Sequence, residues 1–141
     1  MLTTGSPLQT SGQNLVGLWR PSFTRVRNKL YVFGGGGNVT NDLHVLDLKD
    51  RRWESVQAIK GVAPSKRYGH TASLWRNHII IFGGCNEFSD YCSDLCVFDI
   101  QKSTWIRPEI RGLNVPARYL HTATVYDDKL YVYGGFAKNS D

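Results

Sequence analysis

The chain has 141 residues, 41% of them hydrophobic, and a formal net charge of +5. That length suits one ordinary domain. No run of about 18 apolar residues offers a membrane-spanning helix, and no basic stretch followed by an apolar core marks a secretory signal. The cations are scattered in short groups: Arg20, Arg25, Arg27 and Lys29, then Lys49, Arg51 and Arg52, then Lys66 and Arg67. With no continuous basic run and no nucleic-acid motif they read as solvated strand ends, and neither nucleic acid nor membrane is expected as a partner.

Residues 1–14, rich in Ser, Thr, Gly and Gln, are expected to form a disordered leader. Residues 15–141 carry a repeat. In the first unit Leu30-Tyr31-Val32-Phe33 leads to Gly34-Gly35, then Asp42-Leu43-His44-Val45-Leu46-Asp47, then Trp53. In the second, Arg67-Tyr68-Gly69-His70-Thr71-Ala72 leads to Ile79-Ile80-Ile81-Phe82 and Gly83-Gly84, then Asp94-Leu95-Cys96-Val97-Phe98-Asp99, then Trp105. In the third, Arg118-Tyr119-Leu120-His121-Thr122-Ala123 leads to Leu130-Tyr131-Val132-Tyr133 and Gly134-Gly135. The Gly pairs stand 49 and 51 residues apart (83 − 34 and 134 − 83), and each His precedes its Gly pair by 13 residues (83 − 70 and 134 − 121).

Each full unit offers four short runs of β-branched, aromatic and aliphatic residues bounded by Gly, Asn, Asp and Ser, which predicts strands. In the middle unit they are His70–Trp75, His78–Phe82, Asp94–Ile100 and Trp105–Pro108. No sustained 3.6-residue apolar stripe predicts a helix. Four strands joined by short turns form an antiparallel meander, and its recurrence near 50 residues is the period of a β-propeller blade.

The Gly pairs 34/35, 83/84 and 134/135, the downstream Trp53 and Trp105, and the Tyr31, Phe82 and Tyr131 aromatics before the Gly pairs resemble kelch repeats. The phrases Pro64-x-x-Arg67-Tyr68-x-His70-Thr71 and Pro116-x-Arg118-Tyr119-x-His121-Thr122, with Gly61 and Gly112 ahead of them, are similar to the long-period subgroup whose blade joint reads Gly, Pro, Arg, His. The resemblance covers about residues 20–136 and implies an all-β chain, a β-propeller fragment of about two and a half blades. The blades are expected at about 20–57, 70–108 and, incomplete, 121–141. Propellers close with roughly four to eight blades, so further kelch repeats in a longer chain, or an assembly completing the ring, are expected. Pro21 stands where the first unit would carry its His, so that unit's first strand is expected to be atypical.

The residues that recur are read as architecture: Gly34, Gly35, Gly83, Gly84, Gly134 and Gly135 at tight turns, Trp53 and Trp105 as packing between blades, and His70 and His121 as hydrogen-bonding groups at the joints. Trp19 and Trp75 break the repeat. Arg67 and Arg118 have two readings. Buried, each must pair with an acid such as Asp42 or Asp94; exposed near the axis, each could anchor acidic side chains of a peptide. Cys85, Cys92 and Cys96 match no zinc spacing. They read as small hydrophobes in a reducing compartment, with a Cys85–Cys92 bridge as the oxidised alternative. Asn38-Val39-Thr40 is a glycosylation sequon that matters only in a secreted protein.

Some kelch-like propellers are enzymes, among them copper oxidases and plant specifier proteins. In the acidic segment Glu87 to Asp94, Tyr91 falls where the specifier motif wants Asp and no His follows. No catalytic residue, cofactor or metal is therefore expected. The resemblance implies a protein-interaction scaffold or adaptor, in the cytoplasm or the nucleus, binding a protein or peptide through loops near 35–41, 58–69, 84–93 and 109–118. Candidate contacts are Arg67, Tyr68, Arg118 and Tyr119 near the axis, with Glu87, Phe88, Asp90 and Tyr91 further out. The alternative is a fragment of a propeller enzyme whose catalytic residues lie in other blades.

Overall fold

Short apolar runs between turn residues can satisfy their backbone groups only by pairing with neighbouring runs. The structure, a computed structural model, describes residues 1–13, 15, 17–56 and 58–137, and all of its regular elements are strands. A two-residue strand β1 (Ser11–Gly12) precedes the first blade, a meander of β2 (Ser22–Val26), β3 (Lys29–Phe33), β4 (Leu43–Asp47) and β5 (Arg52–Ser55) in that spatial order. The second blade opens with a short β6 (Arg67–Tyr68). It continues through β7 (Thr71–Trp75), β8 (His78–Phe82), a short β9 (Cys85–Asn86), β10 (Leu95–Asp99) and β11 (Thr104–Ile106). Strands β7, β8, β10 and β11 form its sheet, while β6 pairs with β9. The third unit holds β12 (Arg118–Tyr119), β13 (Thr122–Tyr126), β14 (Lys129–Tyr133) and β15 (Phe136–Ala137), with β13 paired to β14 and β12 to β15.

The first two long strands of every unit meet in the same register: Val26 faces Lys29, Trp75 faces His78 and Tyr126 faces Lys129. The first turn residue takes a positive φ each time, 56° at Arg27, 54° at Arg76 and 50° at Asp127. That conformation costs a non-glycine residue roughly 1–2 kcal/mol, and it recurs because the turn must follow the right-handed twist of its strands.

The core lies between blades. Tyr31, Phe33, Leu43 and Val45 of the first blade pack in one cluster with Ile79, Ile81, Cys96, Phe98 and Trp105 of the second. The Trp105 ring sits 5.3 Å from Phe33 across the interface and 4.9 Å from Phe98 within its own blade. A middle strand covered on both faces can be apolar at every position, which is why Ile79-Ile80-Ile81-Phe82 shows no alternation. Each fully buried side chain of this size contributes about 1.5–3 kcal/mol. In the third unit the same positions lack a covering blade among the described residues, so Tyr131 is 52% and Tyr133 82% exposed, whereas Tyr31 is 9% exposed.

Three expectations change. Within the segment read as a leader, Ser11 and Gly12 lie parallel to Arg52 and Trp53 of β5; Asn14 lies outside the described residues. The first strand of the first blade is regular, because Pro21 sits just before β2 and removes no donor from the ladder. Trp19 does not break the repeat. It bridges Gly36 as Tyr68 pairs with Cys85 and Tyr119 with Phe136.

Candidate functional site

The site is built from the joints that enter each blade. A joint starts beside the outermost strand, runs across one end of the blade and turns down into the innermost strand. At its start, Lys60 bridges Thr104 in parallel, as Ser11–Gly12 pairs with β5. A Cβ on Gly12 would lie 2.2 Å from the Trp53 carbonyl, and one on Gly61 2.3 Å from the Trp105 carbonyl, so only glycine permits this approach. At its end, Arg20, Gly69 and Leu120 take φ values of 52°, 68° and 57°. The Gly69 amide donates to the Arg20 carbonyl at 3.0 Å and the Leu120 amide to the Gly69 carbonyl at 2.8 Å, a backbone chain linking the three units. Gly12, Gly61 and Gly112 thus head three copies, 49 and 51 residues apart (61 − 12 and 112 − 61). In the first copy Leu18 replaces Arg, Trp19 replaces Tyr and Pro21 replaces His.

The histidines act between blades. Nε2 of His70 donates to the Phe33 carbonyl at 3.1 Å and lies 2.8 Å from Ser22 Oγ, both in the first blade. Nε2 of His121 lies 2.8 Å from Thr71 Oγ1 in the second. Each ring also packs edge-on against the aromatic ahead of the Gly pair, Phe33 at 5.2 Å and Phe82 at 5.3 Å. Burial, reinforced by the Arg67 charge, pushes the His70 pKa down to about 3, and burial also lowers His121. Both shifts favour the neutral ring.

Arg67 is 2% exposed. Its guanidinium donates to Asp94 Oδ1 at 2.7 Å and Oδ2 at 3.0 Å, to the Gly83 carbonyl at 3.0 Å and to Ser65 Oγ at 3.0 Å. Arg107 adds a second contact to Asp94 at 3.4 Å. Burial raises the Asp94 carboxyl, but the hydrogen bonds and charge of Arg67 outweigh it and hold Asp94 below the usual carboxylate range. Arg67 therefore closes its own blade and offers nothing to a partner, and its acid is Asp94, not Asp42. Arg118 is half-buried and donates to the Gly134 carbonyl at 3.1 Å and the Pro116 carbonyl at 3.3 Å.

The residues after these arginines form a row of rings. Trp19 lies 5.0 Å from Tyr68, Tyr68 lies 6.3 Å from Tyr119, and Tyr119 lies 5.6 Å from Phe136. Tyr91 joins from the loop at 4.8 Å from Tyr119. Trp19 is 51% and Phe136 60% exposed, with the three tyrosines half-buried between them. Arg20 stacks its guanidinium 5.8 Å from the Trp19 ring. A hydrogen bond with Cys85 raises the Tyr68 pKa to about 12, and burial raises that of Tyr119, so both hydroxyls stay protonated. The joint spacing places the rings in one row; the sequence does not single out Trp19 or Phe136 as a contact, because one sits in the degenerate joint and the other follows a Gly pair.

The remaining candidates spread outward. Asn86 Oδ1 accepts from the amides of Phe88 and Asp90, at 2.9 and 3.0 Å, and tightens the loop that holds Glu87, Phe88 and Asp90 in solvent. Cys85, Cys92 and Cys96 are buried free thiols. Burial raises Cys92 and carries Cys96 to about 11, so both are poor nucleophiles. No group of three His, Cys, Asp or Glu among the described residues could hold a metal ion.

A family model for the KLHDC2/KLHL20/DRC7 Kelch-repeats domain matches residues 21–141. The chain is 34% identical over 146 residues to a Dictyostelium discoideum protein named "Probable serine/threonine-protein kinase", covering 96% of this chain and 11% of that protein. It is 34% identical to acyl-CoA-binding domain-containing protein 4 of Arabidopsis thaliana, covering 94% of this chain and 20% of that one. It is 28% identical to human Kelch domain-containing protein 3, covering 82% and 34% respectively. The chain thus spans about a third or less of the length of these relatives. Repeats, joints and family model agree that the chain belongs to the kelch-repeat family, whose members are generally protein-interaction modules.

Proposed function

We propose that this protein is an adaptor whose joint face receives a partner polypeptide along the row Trp19, Tyr68, Tyr119 and Phe136. One observation carries the reading: five rings, from three joints and the segments after two Gly pairs, stand in contact, with the end rings exposed. Rigid aromatics with polar tips bind at low entropic cost and dominate interface energetics. The long loop over residues 84–93 borders the row, and loops on a rigid scaffold set specificity. Three buried free thiols suit a reducing compartment, which favours the cytoplasm or nucleus.

The test compares partners co-purified with the intact protein and with Trp19→Ala and Tyr119→Ala variants. Selective loss of one or a few partners at unchanged thermal stability is expected. An unchanged set of partners in both variants overturns the reading.

A further inference from the structure

The second blade shows how its carboxylate is neutralised, and the first blade keeps the carboxylate without the neutralising groups. Asp94 is held by Arg67 at 2.7 Å and Arg107 at 3.4 Å. The repeat places Asp42 where Asp94 stands and Gly34 where Gly83 stands, because Leu43 to Asp47 and Leu95 to Asp99 pair identically with the strands before them. Leu18 occupies the Arg67 position, six residues past the joint glycine (18 − 12 and 67 − 61). Ser55, opposite His44, occupies the Arg107 position. Both cations are therefore missing around Asp42, and no ion pair to Asp42 is found among the described residues.

The backbone has not moved in to compensate. The joint keeps its pairing at both ends, Gly12 against Trp53 and Trp19 against Gly36. Beside the exposed Asp42 lies an open cavity of about 430 Å³ whose lining includes Leu18, Thr40, Asn41, Asp42, His44 and Lys66. We infer that this cavity is a guanidinium socket, a site for an arginine side chain of a partner polypeptide. The chemistry follows from the filled copy: a carboxylate that accepts two parallel N–H bonds matches a planar fork better than a point-charge ammonium. The apolar Leu18 wall suits the arginine stem. Lys66 lines the same cavity and limits affinity by repulsion. The inference rests on the proposal that this face binds polypeptide, and it adds the side chain selected.

The probe is N-acetyl-arginine N-methylamide, titrated into the full-length protein with ring-labelled histidine while the His44 resonance is followed by NMR. The citrulline amide, isosteric and neutral, and the lysine amide serve as comparisons. A saturable His44 shift with arginine, at least tenfold weaker with citrulline, is expected. Asp42→Asn should abolish the shift and Lys66→Gln should strengthen it. Should Asp42→Asn fold poorly, Leu18→Arg decides: it should fill the socket from within, raise Tm and abolish the response. Equal responses to arginine and citrulline, or an undiminished response in Leu18→Arg, overturn the socket. Because Leu18 and Asp42 lie off the ring row, that failure leaves the Trp19 and Tyr119 result standing, and the reverse also holds.

Discussion

Gly34 and His70 are made for each other: a Cβ on Gly34 would lie 2.7 Å from His70 Cε1 and 2.7 Å from the Arg67 carbonyl. Gly83 stands to His121 in the same way, at 2.6 Å. In the first two pairs the leading glycine is thus the floor on which the histidine of the next unit rests. At Gly134 nothing among the described residues lies within 4 Å.

Gly34→Ala and Gly83→Ala should each cost about 2–5 kcal/mol, the sum of left-handed strain and overpacking. Gly134→Ala carries only the strain of its φ of 77°, about 1 kcal/mol. Denaturant titration of the intact protein checks the ranking, and equal costs at all three positions would refute the docking of His on Gly.

Acid should loosen the blade joints before it discharges the carboxylates. The His70 pKa falls from 6.5 to about 3 on folding, so the unfolded chain takes up a proton that the folded chain refuses. The stability this contributes is complete above pH 6.5 and is lost as pH falls toward 3, amounting to about 2 kcal/mol at pH 5. Lowered His44 and His121 act in the same direction, whereas the depressed Asp94 matters only below its ordinary value of 3.8. Unfolding free energies between pH 7 and 4.5 should fall with a slope that His70→Gln visibly flattens; a His70→Gln slope equal to the parent's would sink the idea.

Arg67 should tolerate no replacement. Asp94→Asn should cost about 3–5 kcal/mol because the buried Arg67 charge is left uncompensated, and Arg67→Met less than that because Asp94 keeps Arg107. Arg67→Lys should recover little, since an ammonium cannot bridge both Asp94 oxygens and the Gly83 carbonyl. Among the described residues Arg118 meets only neutral carbonyls, so Arg118→Met should cost about 1 kcal/mol. Thermal denaturation of the four variants decides, with equal losses at Arg67 and Arg118 as the refuting outcome.

Strands, turns and period were legible in the residues themselves. Leu30 to Phe33, Ile79 to Phe82 and Leu130 to Tyr133 declare strands by their side chains, and the Gly pairs end them because each takes a positive φ. Such signals act over a few residues, and their repetition near 50 identifies the blade without further help. The partner of Arg67 was not legible, since Asp42 and Asp94 head equivalent phrases and only distance in space separates them. Nor was the first joint, whose Gly12 and Trp19 keep the path of the chain while three of its marked residues differ.

The amino-acid order alone therefore determined the four-stranded kelch unit, because strand propensity and turn chemistry are local. The tertiary structure decided which arginine is enclosed, that Trp19, Tyr68, Tyr119 and Phe136 share one surface, and that Asp42 stands without its guanidinium. Those properties depend on which residues meet in space, and neighbours brought together from tens of positions away leave no mark in the segment that meets them.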